Sequence, residues 1–334
     1  MKKTMLIAAL VALAGCAEMK EETPVRETGE MEMGLMSVKV KFDDVLTRTV
    51  TDYRTALEQE KAVKKVDILV FDYTSKALNA VKRVTALDGE CQMSIPVGKK
   101  LVYAIVNGPD PDGVTKVSDM DGLVDRLSAD MTQTGLTLTG FAEYEVKAGT
   151  QEEPAVITVG WLVSRVVLTK VHCNIPQQYG EMYIDCVYLG NANTTQTFAG
   201  SSSDKANVDG RSKNGAQIGK DGESGDYSSY LFRSVGRSVN VNEALTDKYH
   251  MYCQPNTGAG HTCMYILATI GENKYYYRVP LAEGLKPNTT CSVELKITNL
   301  GASEPPVDDL QKGQIEAEID FQDWIAGTNY VEEF

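Results

Sequence analysis

The chain has 334 residues, which is too long for one typical domain and sufficient for two. Hydrophobic residues make up 43% of the chain, enough to form sizeable cores, and no stretch is apolar for the length of a transmembrane helix. The formal net charge of -13 is spread along the chain, so binding to nucleic acid or to anionic lipid surfaces through charge is not expected.

The first sixteen residues have the pattern of an export signal. Lys2 and Lys3 precede a short apolar run over residues 5–13, and small residues then lead to a cysteine in Leu13-Ala14-Gly15-Cys16. This ending resembles the bacterial lipobox, in which the cysteine thiol receives a diacylglycerol and the signal is cut just before it. The pattern predicts a signal peptide over residues 1–15 and lipidation of Cys16. The alternative is an ordinary secretory signal with an incidental cysteine.

A tether and six further cysteines follow. Residues 16–36 are predicted to form a tether because residues 17–30 are charged and lack aromatic side chains. An even number of cysteines in an exported chain permits disulfides, but spacing does not define their pairing. The three histidines show no metal-ligand spacing with them, so no metal and no cofactor are predicted. The cysteines are Cys91, Cys173, Cys186, Cys253, Cys263 and Cys291.

Short alternating or apolar segments rich in β-branched residues recur along the chain and predict strands. The predicted strands cover residues 36–42, 66–73, 101–106, 155–158, 161–171, 182–189, 264–270, 274–279, 291–297 and 315–321. Helical spacing of Leu123, Val124 and Leu127 predicts one helix over residues 119–129, with Ser118 as its N-cap. The polar, glycine-rich stretch 191–229 is predicted to be a long surface loop.

These elements predict an all-β fold with minor helical inserts. The simplest arrangement is two β-sandwich domains in series, over residues 37–163 and 164–334. No nucleophile elbow, zinc-protease or dinucleotide-binding motif is present, and the histidines have no partnered spacing. The sequence therefore favours a non-enzymatic protein over a secreted hydrolase on a β scaffold.

Several segments, taken in order, resemble the Bacteroidales fimbrillins, the type V pilins that form major fimbrial subunits. The resemblance extends over nearly the whole chain. It is carried by the lipobox at 13–16, VDILVFD at 66–72, VYAIVN at 102–107, LVSRVVL at 162–168, VYLGN at 187–191, PNTTCSV at 287–293 and IDFQDW at 319–324.

The resemblance implies two transthyretin-like β-sandwich domains and a maturation step. An arginine-specific protease would remove the first strand, residues 37–48, by cutting between Arg48 and Thr49; Arg54 and Thr55 are the second choice. The C-terminal segment 313–334 would then serve as the donor strand for a neighbouring subunit. Its side chains predicted to enter the neighbour's groove are Ile315, Ala317, Ile319, Phe321, Tyr330, Val331 and Phe334.

The implied partners are copies of the chain, other fimbrial subunits, the protease and, through the lipid, the outer membrane. The implied location is the cell outer membrane and a surface-exposed fimbrium that supports adhesion, with a lipoprotein precursor passing through the periplasm. Two alternatives stay open. The chain is a tip or anchor subunit of the same fimbria, or a monomeric surface lipoprotein that binds glycan or host protein.

Overall fold

The computed structural model describes residues 31–42, 54–87, 91–127, 135–151, 153–198, 205–208, 217–219, 228–257, 260–281, 284–305 and 315–324. The strands in chain order are β1 (Met33–Phe42), β2 (Val66–Asp72), β3 (Leu78–Val84), β4 (Cys91–Pro96), β5 (Gly98–Val106), β6 (Val124–Arg126), β7 (Leu138–Val146), β8 (Gly149–Thr150), β9 (Ala155–Trp161), β10 (Ser164–Cys173), β11 (Met182–Gly190), β12 (Ala192–Asn193), β13 (Thr195–Thr197), β14 (Lys205–Val208), β15 (Gln217–Gly219), β16 (Phe232–Val239), β17 (Ala244–Leu245), β18 (Tyr249–Cys253), β19 (Cys263–Ile270), β20 (Asn273–Pro280), β21 (Thr289–Ile297) and β22 (Ile315–Asp323).

Helices are short and few in these ranges. The α-helices are α1 (Val117–Met120) and α2 (Ser228–Leu231), and 3₁₀ turns form at Glu58–Lys61 and Gln177–Tyr179. Within the described residues, no helix is long and apolar enough to cross a membrane.

The first half of the chain forms one large sheet with the order β3-β2-β5-β7-β9-β1-β4, and β8 also pairs with β1. Strands β7 and β9 share only two residue pairs, so the sheet divides there into two parts. The inward side chains of both parts join the main core, among them Ile68 of β2, Val102 of β5 and Ile157 of β9. Alternation along each strand places these apolar side chains on one face.

The second half forms two further sheets. One has the order β17-β10-β21-β22, with β18 also paired to β10, and the other has the order β16-β11-β19-β20. Apolar side chains from both sheets belong to the same buried cluster as the first half. A two-stranded ladder between β6 and β13 links the halves, because Thr195–Thr197 pair with Val124–Arg126.

The all-β prediction is confirmed, and a strand covers most of every segment predicted as one. Two strand predictions need adjustment. The predicted strand 161–171 is divided, because β9 ends at Trp161 and β10 begins at Ser164. The 36–42 strand begins earlier, at Met33. The division into domains at residues 163 and 164 stays a prediction.

The predicted helix over 119–129 is wrong as far as the structure describes it. Helix α1 ends at Met120, its N-terminal flank is Lys116 rather than Ser118, and β6 follows at Val124. Gly122 is a poor helix former, and pairing with β13 supplies Val124–Arg126 with backbone partners.

The predicted loop 191–229 also contains more structure than expected. Short strands β12 to β15 form there, and residues 192–196 are buried. Hydrophobic periodicity does not predict these strands, because their side chains are polar. Polar side chains there are buried through hydrogen bonds, such as the one from Asn193 to the Pro255 oxygen.

Candidate assembly site

The first described strand is an interior strand of its sheet, next to the edge strand β4. It pairs in parallel with β9, from Val38↔Ala155 onward, and antiparallel with β4, from Met33↔Pro96 onward. Met36 and Val38 are fully buried, and Val40 is nearly so. The end of the chain nearest the N-terminus is therefore enclosed between two strands that come later in the sequence.

Close packing along β1 requires a glycine at one position. A Cβ added to Gly34 would lie 2.1 Å from the Lys147 backbone oxygen and 2.7 Å from Val146 Cγ1. Neither atom is the end of a flexible chain that can simply move aside. The strand thus fits its site closely at its start as well as at its centre.

After β1, the next described residue is Arg54. The predicted cut between Arg48 and Thr49 lies outside the described residues, as does Cys16. Arg54 is half-buried and its Nε donates a 3.5 Å hydrogen bond to the Asp323 backbone oxygen. The Thr55 backbone oxygen accepts a 3.1 Å hydrogen bond from Arg165 Nη1, and Ala56 is buried. The second predicted cut therefore falls in a chain segment that is held against β10 and β22.

A buried ion pair anchors this segment. Glu60 and Arg165 are both fully buried, and Arg165 Nη1 lies 2.8 Å from Glu60 Oε2. The Leu57 N–H donates to Glu60 Oε2 at 2.6 Å, and the Tyr252 hydroxyl donates to Glu60 Oε1 at 2.5 Å. Arg165 Nε donates to Thr290 Oγ1 at 3.2 Å.

Burial and pairing act in opposite directions on this cluster. Removal from water raises the pKa of Glu60 and lowers that of Arg165, while the attraction between the two charges opposes both changes. Burial beside the Glu60 carboxylate also raises the pKa of Tyr252 well above its usual range. Both charges are removed from water, so the attraction between them offsets part of the desolvation cost of each.

Three aromatic rings connect the first strand to the last. Phe42, at the end of β1, stacks on Trp161 with ring centroids 5.7 Å apart. Trp161 stacks on Trp324 at 4.3 Å and an interplanar angle of 11°. The Arg165 guanidinium lies 4.5 Å from the Trp324 ring centre, and Trp161 Nε1 donates to the Glu60 backbone oxygen at 3.1 Å. We call Phe42, Trp161 and Trp324 the aromatic column.

The predicted donor segment is seen in part, as β22. This strand pairs with β21 over nine residue pairs, from Thr289↔Asp323 to Ile297↔Ile315, at the edge of its sheet. Ile315, Ile319 and Phe321 are half-buried and pack on the main core, whereas Ala317 is exposed. The remaining predicted donor residues, Tyr330, Val331 and Phe334, lie outside the described residues.

The six cysteines after Cys16 lie inside the protein. All six cysteines from Cys91 to Cys291 are buried. Burial raises the pKa of Cys91 and Cys173, and it raises that of Cys253 to about 12. Among the described residues, no group of three or more histidine, cysteine, aspartate or glutamate side chains is placed to hold a metal ion.

A protein-family model matches the part of the chain that forms the first sheet. Residues 36–164 match the family model described as "Major fimbrial subunit protein (FimA)". The resemblance to the fimbrillins is confirmed. The match begins inside β1 and ends at the start of β10, so it covers nearly all of the sheet that encloses the first strand. A search of curated protein sequences finds no match.

Solved structures of similar fold come from Bacteroidales. A putative cell adhesion protein from Bacteroides eggerthii is 16% identical, with a TM-score of 0.65, over 88% of this chain and 97% of its own. A fimbrilin (fimA) from Porphyromonas gingivalis is 14% identical, with a TM-score of 0.60, over 88% and 98%. A putative cell adhesion protein from Parabacteroides distasonis is also 14% identical, with a TM-score of 0.59, over 88% and 97%. At these identities the likeness shows the fold.

Sequence reasoning missed the buried ion pair and the aromatic column. Arg165 interrupts an apolar strand, and a charge in such a strand signals either a bulge or a buried partner. Its partner Glu60 is far away in the chain and lies in a charged segment that gives no sign of burial.

Proposed function

We propose that the chain is a structural subunit of a fimbria. On this proposal it is exported as a lipoprotein through Cys16, loses its first strand by proteolysis, and polymerises by donor-strand exchange. The observation that carries the proposal is the position of β1. It is the first strand of the described chain, yet it lies between β9 and β4, inside a sheet whose sequence matches the major fimbrial subunit family.

Removal of β1 would create an acceptor groove. The facing edges of β4 and β9 would lose their backbone partners, and the sites of Met36, Val38 and Val40 would become empty. Burying three such side chains stabilises the folded chain by roughly 4.5–9 kcal/mol, at about 1.5–3 kcal/mol each. An open groove of this kind is unstable alone and favours insertion of a strand from another subunit.

The contacts of the segment 54–61 favour Arg48 over Arg54 as the processing site. Cutting between Arg54 and Thr55 requires a protease to reach a bond whose flanking groups are held by Asp323 and Arg165. A cut at Arg48 leaves those contacts in place, and the new N-terminus begins at Thr49. The buried Glu60–Arg165 pair then holds the start of the mature chain against the second half.

The C-terminal segment 313–334 is the proposed donor. Along β22, Ile315, Ile319 and Phe321 alternate with polar residues in the same two-residue period as Met36, Val38 and Val40 of β1. A segment with this period can present its apolar side chains to one face of the groove. Because β22 is an edge strand, its nine pairs with β21 are exchanged for a similar ladder in the neighbour. Such exchange is head to tail, so it does not close and a filament grows.

The first test is the processing of the purified precursor by an arginine-specific protease. We expect an intact mass and N-terminal sequence that begin at Thr49, followed by a ladder of multimers on unboiled, non-reducing gels. Arg48→Gln is expected to block both, and Arg54→Gln, the matched control, to leave both unchanged. A start at Thr55 would overturn the choice of Arg48.

The same experiment separates the alternatives. A protein that keeps lipidated Cys16 and β1 in the mature fimbria is an anchor rather than a stalk subunit. A stable monomer that retains β1 and never forms a ladder contradicts polymerisation and leaves a monomeric surface lipoprotein.

A further inference from the structure

Two buried polar side chains meet at one buried carboxylate beside the link between the two halves. The Thr137 hydroxyl donates a 2.7 Å hydrogen bond to Asp125 Oδ1, and the Gln254 side-chain N–H donates to Asp125 Oδ2. Gln254 is fully buried, and Asp125 and Thr137 are nearly so. One carboxylate therefore contacts a hydroxyl oxygen and an amide nitrogen at the same time.

The backbone holds each of the three residues in place. Asp125 lies in β6, which pairs with β13. The Thr137 backbone oxygen accepts a 2.9 Å hydrogen bond from the Leu162 N–H. The Gln254 N–H donates to the Asn193 oxygen, also at 2.9 Å. These backbone contacts fix the three positions around the Asp125 carboxylate.

The three groups have the chemistry of an acyl transfer. A hydroxyl is a nucleophile when a base accepts its proton, and a side-chain amide carbon is an electrophile. Burial raises the pKa of Asp125, although the hydrogen bonds from Thr137, Gln254 and the Arg126 N–H oppose this effect. A carboxylate with a raised pKa is a stronger base than one in water.

We propose that Asp125 promotes one intramolecular acyl transfer that joins the side chains of Thr137 and Gln254 by an ester bond. Asp125 Oδ1 accepts the hydroxyl proton while Thr137 Oγ1 attacks Cδ of Gln254. The C–N bond of Gln254 then breaks as Asp125 gives the proton held on Oδ1 to the leaving nitrogen, which departs as ammonia. The products are the ester and one molecule of ammonia, and no group is oxidised or reduced.

The surroundings favour the product. Gln254 Oε1 is buried and has no hydrogen-bond partner among the described residues, which destabilises a strongly polar amide there. An ester oxygen is a weaker acceptor and is less costly to leave unpaired. A cavity of about 220 Å³ lined by Asp125 and Thr137 gives the released ammonia a place to leave the site.

The bond would tie the start of β7 to the end of β18, which belong to different sheets. The described cysteines form no disulfide, so this ester would be a covalent connection between these parts of the chain. If the chain is a fimbrial subunit, such a bond would resist pulling along the filament. The ester itself does not depend on polymerisation, so its test is independent of the proposed function.

The test is peptide mapping of the purified, denatured full chain after complete tryptic digestion. Thr137 falls in the peptide 127–147 and Gln254 in the peptide 249–274, since Arg126, Lys147, Lys248 and Lys274 bound them. We expect these two peptides as one linked species, lighter than their sum by one molecule of ammonia, with fragmentation that places the bond at Thr137 and Gln254. Hydroxylamine, which cleaves esters, is expected to separate them.

Two variants and one control define the roles. Thr137→Val removes the nucleophile and Asp125→Asn removes the base, so both are expected to yield only the separate peptides. Thr139→Val lies in the same tryptic peptide and is expected to keep the linked species. Near-ultraviolet circular dichroism shows whether each variant has folded. Separate peptides from the wild-type chain would overturn the proposal, whatever the variants do, and a linked species in Asp125→Asn would overturn the role of Asp125.

Discussion

Glu60→Gln tests whether the buried ion pair stabilises the fold in the manner its contacts indicate. The substitution keeps the size of the side chain but removes its charge, so the fully buried Arg165 loses the carboxylate that lies 2.8 Å from its Nη1. Breaking a buried pair by removing one partner costs about 3–5 kcal/mol, because the remaining charge stays desolvated. We expect a loss of this size in the free energy of unfolding, measured by urea denaturation of the purified protein.

Two companion variants show whether the cost arises from the orphaned charge. In Glu60→Gln with Arg165→Met neither member of this pair is charged, and we expect this double variant to be more stable than Glu60→Gln alone. The matched control is the Lys296–Glu316 pair, at 3.1 Å but largely exposed, where Glu316→Gln is expected to cost at most about 1 kcal/mol. A loss under about 1 kcal/mol for Glu60→Gln, or a double variant no more stable than the single one, would refute the reasoning.

Three further predictions follow from local contacts. Gly34→Ala is expected to destabilise the precursor by about 1–3 kcal/mol, because the added Cβ meets the Lys147 oxygen, and to have no effect after β1 is removed. Gly122→Ala is the control, since the nearest atom to a Cβ added there is 3.5 Å away. Equal effects of Gly34→Ala on both forms would contradict proteolytic loss of β1. Hydrogen bonds from Ser75, and then Lys100, lower the pKa of Asp72 below its ordinary value of 3.8. The stability that Asp72 adds is therefore complete above pH 3.8 and is lost as the pH falls through the lower pKa of the folded state. The free energies of unfolding of wild type and Asp72→Asn, measured in urea from pH 7 to acid, should converge, and a constant difference would contradict this. The six buried thiols are expected to resist maleimide in the native protein and to react in denaturant, as counted by mass; rapid labelling of the native protein would show that the thiols are accessible.

Strand periodicity was sufficient to place the first strand and most of the sheet around it. The alternation of Met36, Val38 and Val40 predicts a half-buried strand, and local sequence carries this signal fully. The partners of that strand were not predictable in the same way. Parallel pairing with β9 depends on residues more than a hundred positions later, and no single sequence encodes such register locally.

The helix prediction failed where two periodicities overlap. Leu123, Val124 and Leu127 suit a helical face, but over so short a stretch they are equally compatible with a turn and a strand. The deciding interaction is the ladder between β6 and β13, which lies in a stretch predicted as loop. Buried polar residues such as Asp125 and Gln254 look like surface residues in sequence, because only the folded structure shows their hydrogen-bond partners.

The aromatic column includes one residue of the strand that would be removed and one residue next to the strand that would be donated. Phe42 belongs to the strand that would be removed, and Trp324 directly follows the strand that would be donated, while Trp161 lies between them. Loss of β1 therefore removes the stacking of Phe42 on Trp161. Departure of β22 and the adjoining Trp324 removes the second stacking contact of Trp161. Since stacked aromatic pairs contribute about 0.5–1.5 kcal/mol beyond their burial, the mature subunit gains most if an incoming donor places an apolar side chain where Phe42 lay. On the proposed function, the site of Phe42 is thus a position in the groove where the identity of the donor side chain affects the affinity. Trp161, at the end of β9, contacts both the strand that would be removed and the segment that would be donated.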